Sequence, residues 1–314
     1  MSRFMLWPLL WILPLILCTA TSEDGSAPAS EPEECELQRL SMLQARSVLS
    51  SSPRLPWDDR VFVFGTYHKG GSTMMVNIVE RAFKALGADM DVDSCFRGGF
   101  LKNITECMRN NVTSIRLFTG FFCPRDLEET KAIQKPRGAR TVMEIRDPRD
   151  MMVSAYCFAK SGGDYGVQIF PLHAEKIPFP EILTMGPAEG LRVISQQMFG
   201  LLDCMNRSQQ KVRDDPDVLV VRYEDFARSS RDFDKRVLQM FHFLFEDLVS
   251  PAQYRDMWEA VKVEDLNRQE ESGNTNITEH TNDDECMRRS TAVLRALPDI
   301  NAKVRDFQRS LGYA

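Results

Sequence analysis

Histidine is scarce, and the chain carries no excess of positive charge. Only four histidines occur among 314 residues, with no Cys-x-x-Cys and no closely spaced Cys/His pair, so the ligand spacing of a structural zinc site is missing. Lys and Arg total 39 against 45 Asp and Glu, for a net charge of −6. A general nucleic-acid binder shows a basic stripe, and this balance argues against one. No internal repeat is evident, which excludes repeat arrays. A long apolar run occurs at residues 4–20, at the N-terminus.

That run follows Arg3 and ends in the small residues Cys18-Thr19-Ala20, the layout of a secretory signal peptide. It is also just long enough for a short signal-anchor, so residues 1–20 are expected to be one or the other. Residues 21–52 begin rich in Ser, Glu, Pro and Ala, as in a stem or linker, and Leu37, Leu40, Leu43 and Val48 suggest a helix before the folded domain, expected at 53–314. Sequons at Asn103, Asn111, Asn206 and Asn276 and a count of eight cysteines agree with a luminal address. Without Cys18 the set is odd: Cys35, Cys95, Cys107, Cys123, Cys157, Cys204 and Cys286. Cys95 with Cys107 is a plausible local bridge, but spacing does not dictate connectivity.

The folded domain is organised around Val61-Phe-Val-Phe-Gly-Thr-Tyr-His-Lys-Gly-Gly-Ser-Thr-Met-Met75. Val61, Phe62, Val63 and Phe64 read as a buried strand. Gly65 to Gly71 form a glycine-rich loop carrying Lys69. Ser72 and Thr73 are good N-cap residues, and Met75, Ile78, Val79, Ala82, Phe83 and Leu86 then recur at helical spacing. Strand, loop and helix N-terminus together make an anion cradle of backbone N–H groups and positive dipole, and glycine allows the backbone close to a phosphate or sulfate ester. The ordinary P-loop places its lysine after the last glycine, whereas Lys69 precedes Gly70-Gly71-Ser72-Thr73.

A second strand-like run, Thr141-Val-Met-Glu-Ile145, leads into Arg146-Asp-Pro-Arg-Asp-Met-Met-Val-Ser154. Pro148 suits a first helical turn, placing Ser154 about two turns in. Arg146 at the strand end supplies a planar fork of donors suited to phosphate. Lys69, Arg140, Arg146 and Arg149 supply the local basicity that a polyanion needs.

The first loop resembles the 5′-phosphosulfate-binding loop of sulfotransferases, Thr-Tyr-Pro-Lys-Ser-Gly-Thr-Thr-Trp. It keeps Thr66, Tyr67, Lys69, Gly71 and Thr73, has the hydroxyl of Ser72, and departs at His68, Gly70 and Met74. Arg146 and Ser154 match in type and spacing the Arg and Ser with which the family grips the donor's 3′-phosphate. The resemblance implies the sulfotransferase version of the P-loop NTPase fold: an α/β domain with a parallel β-sheet and helices on both faces. The implied co-substrate is 3′-phosphoadenosine 5′-phosphosulfate (PAPS), used without a metal. Lys69 would be the catalytic cation; Lys69, Gly70, Gly71, Ser72 and Thr73 would hold the 5′-phosphosulfate, and Arg146 and Ser154 the 3′-phosphate.

Two elements of the cytosolic branch are missing. Leu117-Phe-Thr-Gly-Phe-Phe122 lacks the His that follows the third strand there, and no C-terminal Arg-Lys-Gly segment is found. Other branches place a carboxylate after the first helix, where Asp91 or Asp93 stands, with Asp93 the candidate base; His68 is another possibility. The departures and the N-terminus point to a Golgi-type enzyme, anchored or secreted, acting on a glycan, a secreted protein or a lipid. Two other function classes are a P-loop kinase or NTPase and a non-catalytic secreted glycoprotein keeping the fold.

Elsewhere, short strands are expected at residues 88–92 and 115–122, and another at 218–221 before Tyr223-Glu-Asp225, which reads as structural. Helices are expected from 188 and over 230–245, 251–266, 284–297 and 300–311. The irregular tract 162–190 suggests a lid or acceptor pocket. Strands alternating with helices give a parallel sheet with ligands at the carboxyl ends of the strands.

Overall fold

The computed structural model describes residues 54–98, 114–163, 177–271 and 283–313. The chain divides into Met1–Arg54 and a compact unit, Leu55–Ala314. Apart from Arg54 the first lies outside the described residues, and with it the signal or anchor, the stem and its helix. So do Asn103, Asn111, Asn276 and part of the irregular tract.

The compact unit runs α1 (Pro56–Asp59), β1 (Val61–Gly65), α2 (Ser72–Ala85), α3 (Met90–Asp93), β2 (Ser94–Gly98), β3 (Ile115–Thr119), α4 (Pro124–Lys131), β4 (Ala139–Ile145) and α5 (Pro148–Lys160). It continues with α6 (Pro187–Val212), β5 (Val218–Arg222), α7 (Tyr223–Ala227), α8 (Ser230–Phe245), α9 (Pro251–Val261), α10 (Leu266–Glu271), α11 (Asp284–Ala296) and α12 (Pro298–Ser310). The five strands form one parallel sheet in the order β2-β3-β1-β4-β5.

β1 lies in the middle and is buried throughout, which is why it reads as a continuous apolar run and not as an alternating one. Strand side chains alternate between faces. Val61 and Val63 accordingly join Met143 and Ile145 in one core with residues of α5, α6, α11 and α12. Phe62 and Phe64 join Val142 in the other core, with residues of α2, α8 and α9. The sheet is thus covered by helices on both faces, the expected α/β architecture. In the second core the rings of Phe62, Phe83 and Phe245 lie 5.1 to 5.4 Å apart.

Disulfides tie the helical layer of the first core. Cys123–Cys204 joins the start of α4 to α6, and Cys157–Cys286 joins α5 to α11. They span 81 and 129 residues, so each removes about 4–5 kcal/mol of unfolded-state entropy in the chain-entropy picture. Cys95 is also disulfide-bonded, and Cys107, the partner expected for it, lies outside the described residues.

Local boundaries differ from expectation by more than two residues in three places, one being the strand expected at 115–122, which ends at Thr119. Residues 88–92 are not a strand: Asp89 caps α3, its side chain accepting from Asp91 N at 3.1 Å, and β2 begins only at Ser94. Side-chain capping by Asp overrides a short apolar pattern. The helix expected over 251–266 stops at Val261, turns through a 3₁₀ segment at Lys262–Glu264, and restarts as α10.

Gly65 ends β1 against the buried ring of Phe122, and a Cβ there would lie 2.2 Å from Phe122 Cδ1. Gly65→Ala is expected to destabilise the unit by about 1–3 kcal/mol through overpacking. Denaturant unfolding measures this; an unchanged midpoint would show that Phe122 gives way freely.

Candidate anion site

Past Gly65 the chain leaves the sheet while still bonded to it. Thr66 N donates to Phe118 O and His68 N to Gly120 O, both at 2.8 Å. Tyr67 is fully buried and donates its hydroxyl to Phe122 O at 2.6 Å. With the loop anchored there, Gly70 N turns back to Tyr67 O at 2.7 Å, and a Cβ at Gly70 would lie 2.8 Å from that same oxygen. Lys69 takes the left-handed conformation, φ 59°, and Gly71 follows at φ 109°.

Gly71, and not Ser72 or Thr73, is the N-cap of α2, and no side chain caps the helix. The hydroxyl of Ser72 is used inside the loop, donating to Tyr67 O at 3.1 Å and accepting from Thr66 Oγ1 at 2.7 Å. Thr73 is exposed. The sequence expectation placed a hydroxyl at the cap, but the positive φ at that position suits only glycine. First-turn N–H groups that no side chain has taken are what an anion at a helix N-terminus needs.

Arg146, just beyond β4, reaches across and donates from Nη1 to Lys69 O at 2.9 Å. Its guanidinium lies 4.2 Å over the ring of Tyr223, and its Nε is buried with no hydrogen-bond partner among the described residues. The ammonium of Lys69 lies 3.6 Å over the Phe158 ring on α5, a close cation–π contact. The structure thus brings Lys69, Gly70, Gly71, Ser72, Thr73 and Arg146 together at the carboxyl ends of β1 and β4. Ser154 is on α5 as expected, but only 1% exposed. His68 is half-buried within the loop.

The candidate carboxylates are placed elsewhere. Asp93 precedes β2, whose first residue pairs with Ile115, itself paired with Phe62 near the start of β1. Asp91 and Asp93 therefore sit at the amino edge of the sheet, a strand's length from Lys69. Asp93 accepts from Asp89 N at 2.9 Å, and Asp91 lines a cavity of about 560 Å³ beside Glu80, Lys84 and Ser94. Arg140 is likewise at the amino end of β4, paired with Asp217 at 2.8 Å and Glu246 at 2.6 Å. Helix and strand counting places residues along the chain, but it does not say at which end of the sheet they emerge.

Several residues to which the sequence reading gave no role in the site stand in it. Phe158, one helical turn after Ser154, carries Lys69. Tyr223 and Glu224, expected to be structural only, support the strand ends: Tyr223 lies beneath Arg146, and Glu224 accepts from Asp147 N at 2.9 Å and from Tyr313 OH at 3.0 Å. Gln308 on α12 adds two bonds to Asp147, at 2.7 and 2.9 Å, and accepts from Arg149 at 2.9 Å.

Glu144 stands in the site as well. It interrupts the apolar run of β4, is 0% exposed, and neither of its carboxyl oxygens has a hydrogen-bond partner among the described residues. Burial holds its carboxyl well above the usual range; Arg146 opposes this and Glu224 adds to it. An acid whose folded-state pKa is raised contributes its full stability below the unfolded value and loses it as pH rises toward the folded one. Glu144→Gln is therefore expected to gain stability over the parent above pH 4.5, the ordinary value, by about 1.4 kcal/mol for each pH unit up to the folded pKa. Paired denaturant melts between acid and neutral pH measure that slope; parallel curves would mean that Glu144 is ionised in the fold.

No protein-family model matches this sequence, and no curated protein matches it. Among solved structures the chain is similar to the crystal structure of mouse sulfotransferase SULT7A1 complexed with PAP. The identity is 15%, over 81% of this chain and 85% of that one, with a TM-score of 0.43. A likeness at that level carries no individual residue across.

Proposed function

We propose that this protein is a PAPS-dependent sulfotransferase, moving a sulfuryl group from 3′-phosphoadenosine 5′-phosphosulfate to a hydroxyl or amine of a glycan, a secreted protein or a lipid. The observation that carries the reading is the loop itself. A lysine that precedes the last glycine stands at a helix N-terminus that no side chain caps, with an arginine from the neighbouring strand end bonded to the lysine's own carbonyl. These are anion-holding groups in the order that the sulfotransferase motif requires. The N-terminal apolar run, the sequons and the cysteine count support a secretory address, Golgi or secreted. A gel shift with endoglycosidase is expected, and an unglycosylated cytosolic product would contradict that address.

In the transfer, the acceptor oxygen or nitrogen forms a bond to sulfur while the sulfur–oxygen bond to the 5′-phosphate breaks. The electron pair of that bond leaves on the phosphate oxygen, and the acceptor's proton passes to a base. Negative charge therefore grows on the leaving oxygen. A cation and backbone donors already fixed there stabilise the transition state without reorganising. Lys69 and the first-turn N–H groups of α2 do this, after the ammonium moves from the face of Phe158 to the leaving oxygen. The remote position of Asp93 removes it as base and leaves His68, within the loop, as the candidate from the sequence.

The two cations should separate in kinetics. Lys69→Ala is expected to lower single-turnover transfer by on the order of 10²–10³ with little change in donor affinity. Arg146→Ala is expected to weaken adenosine 3′,5′-bisphosphate binding roughly ten- to a hundredfold, as for loss of a hydrogen bond to a charged group. Transfer of labelled sulfate to a panel of glycans, proteins and lipids, with calorimetry for binding, measures both. Parental transfer by Lys69→Ala would remove the lysine from the chemistry, and unchanged affinity in folded Arg146→Ala would remove the arginine from the site.

A further inference from the structure

We propose that Glu144 belongs to the anion site, as a buried carboxyl set against Gly71 where the loop turns into α2, and that it holds a proton for as long as an anion occupies the loop. The proposal rests on the part of the preceding reading that makes the loop an anion cradle, and not on which anion the loop takes.

The geometry is specific. A Cβ at Gly71 would lie 2.6 Å from Glu144 Oε1 and 2.6 Å from Tyr223 Cδ2, so the carboxyl and the tyrosine ring together close off the back of the N-cap residue. Neither carboxyl oxygen reaches water or a hydrogen-bond partner among the described residues. A carboxylate with no partner in such a place is strongly disfavoured. The charged and titratable groups around it come from three elements. Arg146 lies two residues after Glu144, just beyond its strand, Tyr223 and Glu224 come from α7, and Asp150 at the start of α5 acts on the same Arg146–Tyr223 pair. Arg146 is the cation among them, and it is also the one an anion in the loop would recruit.

An anion therefore changes the balance at Glu144 in one direction. It adds a like charge on the other side of Gly71 and draws on the arginine that would otherwise favour a carboxylate. Burial already pushes the carboxyl up in the free protein, and the anion pushes it further. A proton bound more tightly in the complex than in the free protein makes affinity highest on the acid side. Affinity then falls as pH rises past the free-protein pKa, by at most tenfold per pH unit for a single site. Glu144 thus acts as a binding residue that ties occupancy of the loop to a proton, without touching the reacting atoms.

The test is calorimetric titration of the full chain with inorganic sulfate and, separately, with adenosine 3′,5′-bisphosphate, from about pH 7.5 to about pH 10, where neither ligand changes charge. Running each in two buffers of different ionisation heat counts the protons taken up. Uptake rising toward one proton per anion in the parent, with falling affinity, is expected, and Glu144→Gln should flatten both. Absence of uptake across the range, or the same pH profile in both proteins, overturns the proposal. If the Gln variant does not fold, Lys69→Arg is the control, since a guanidinium does not titrate in this range while the Lys69 ammonium does; uptake that survives in it supports Glu144, and uptake that vanishes with the lysine overturns the proposal. Linked uptake with sulfate and no binding of the bisphosphate would leave Glu144 in place and overturn the sulfotransferase reading. Failure of both anions to bind would overturn both.

Discussion

The left-handed turn at Lys69–Gly71 is the constraint on which the site depends. Holding a non-glycine residue at φ 59° costs of order 1–3 kcal/mol and persists only where the surroundings over-determine it. Three contacts do so. The carbonyl of Tyr67 takes Gly70 N, the Tyr67 hydroxyl is fixed to Phe122 O, and Arg146 grips the carbonyl of Lys69. Because the turn brings a glycine to the cap, no side chain consumes the first N–H groups of α2. An ordinary Ser or Asp cap would stabilise the helix by about 1 kcal/mol and occupy the donors that an anion needs. The loop forgoes that stabilisation and leaves those donors without a capping side chain.

The sheet decides which residues can reach that turn. The chain leaves β1 for β2 and β3 on one side and then crosses to β4 on the other. The reversal falls beside β1, and in open α/β sheets ligands lie outside the carboxyl ends of the strands at such a point. Two arginines on β4 and its extension are separated by this rule. Arg140 is tied to Asp217 and Glu246 at the amino edge, while Arg146, with the same side chain, meets the loop.

Beneath the loop the charges are arranged with little slack. Arg146 carries the backbone of Lys69 on its fork and Tyr223 on its face, while Glu144 sits buried behind Gly71 without a hydrogen-bond partner among the described residues. Glu224 is fully used, by Asp147 N and by Tyr313 at the end of α12. The C-terminal helix is thereby fastened to the ends of β4 and β5, in a chain whose sequence lacks the Arg-Lys-Gly segment of the cytosolic sulfotransferases. The disulfide from α5 to α11 holds the same layer covalently.

Much of this was legible in the sequence, because β1, β4 and β5 are short continuous apolar runs and the long helices are periodic apolar segments, so that their burial is dictated locally. The loop between β1 and α2 was legible for the same reason: glycine, lysine and hydroxyl residues between a buried strand and a helix have few uses. What the sequence did not disclose depends on the packing of separate segments. The cap moved from Ser72 to Gly71 because the turn was set by bonds to Phe118, Gly120 and Phe122. Asp93 left the site because β2 enters the sheet in parallel, with its start at the edge away from the loop. Glu144 read as one polar residue in a strand, and its place behind Gly71 exists only because β4 lies directly beside β1. Local pattern determines which segments are strands and helices. The order and direction in which strands pair determine which side chains share a charge environment, and that required the tertiary structure.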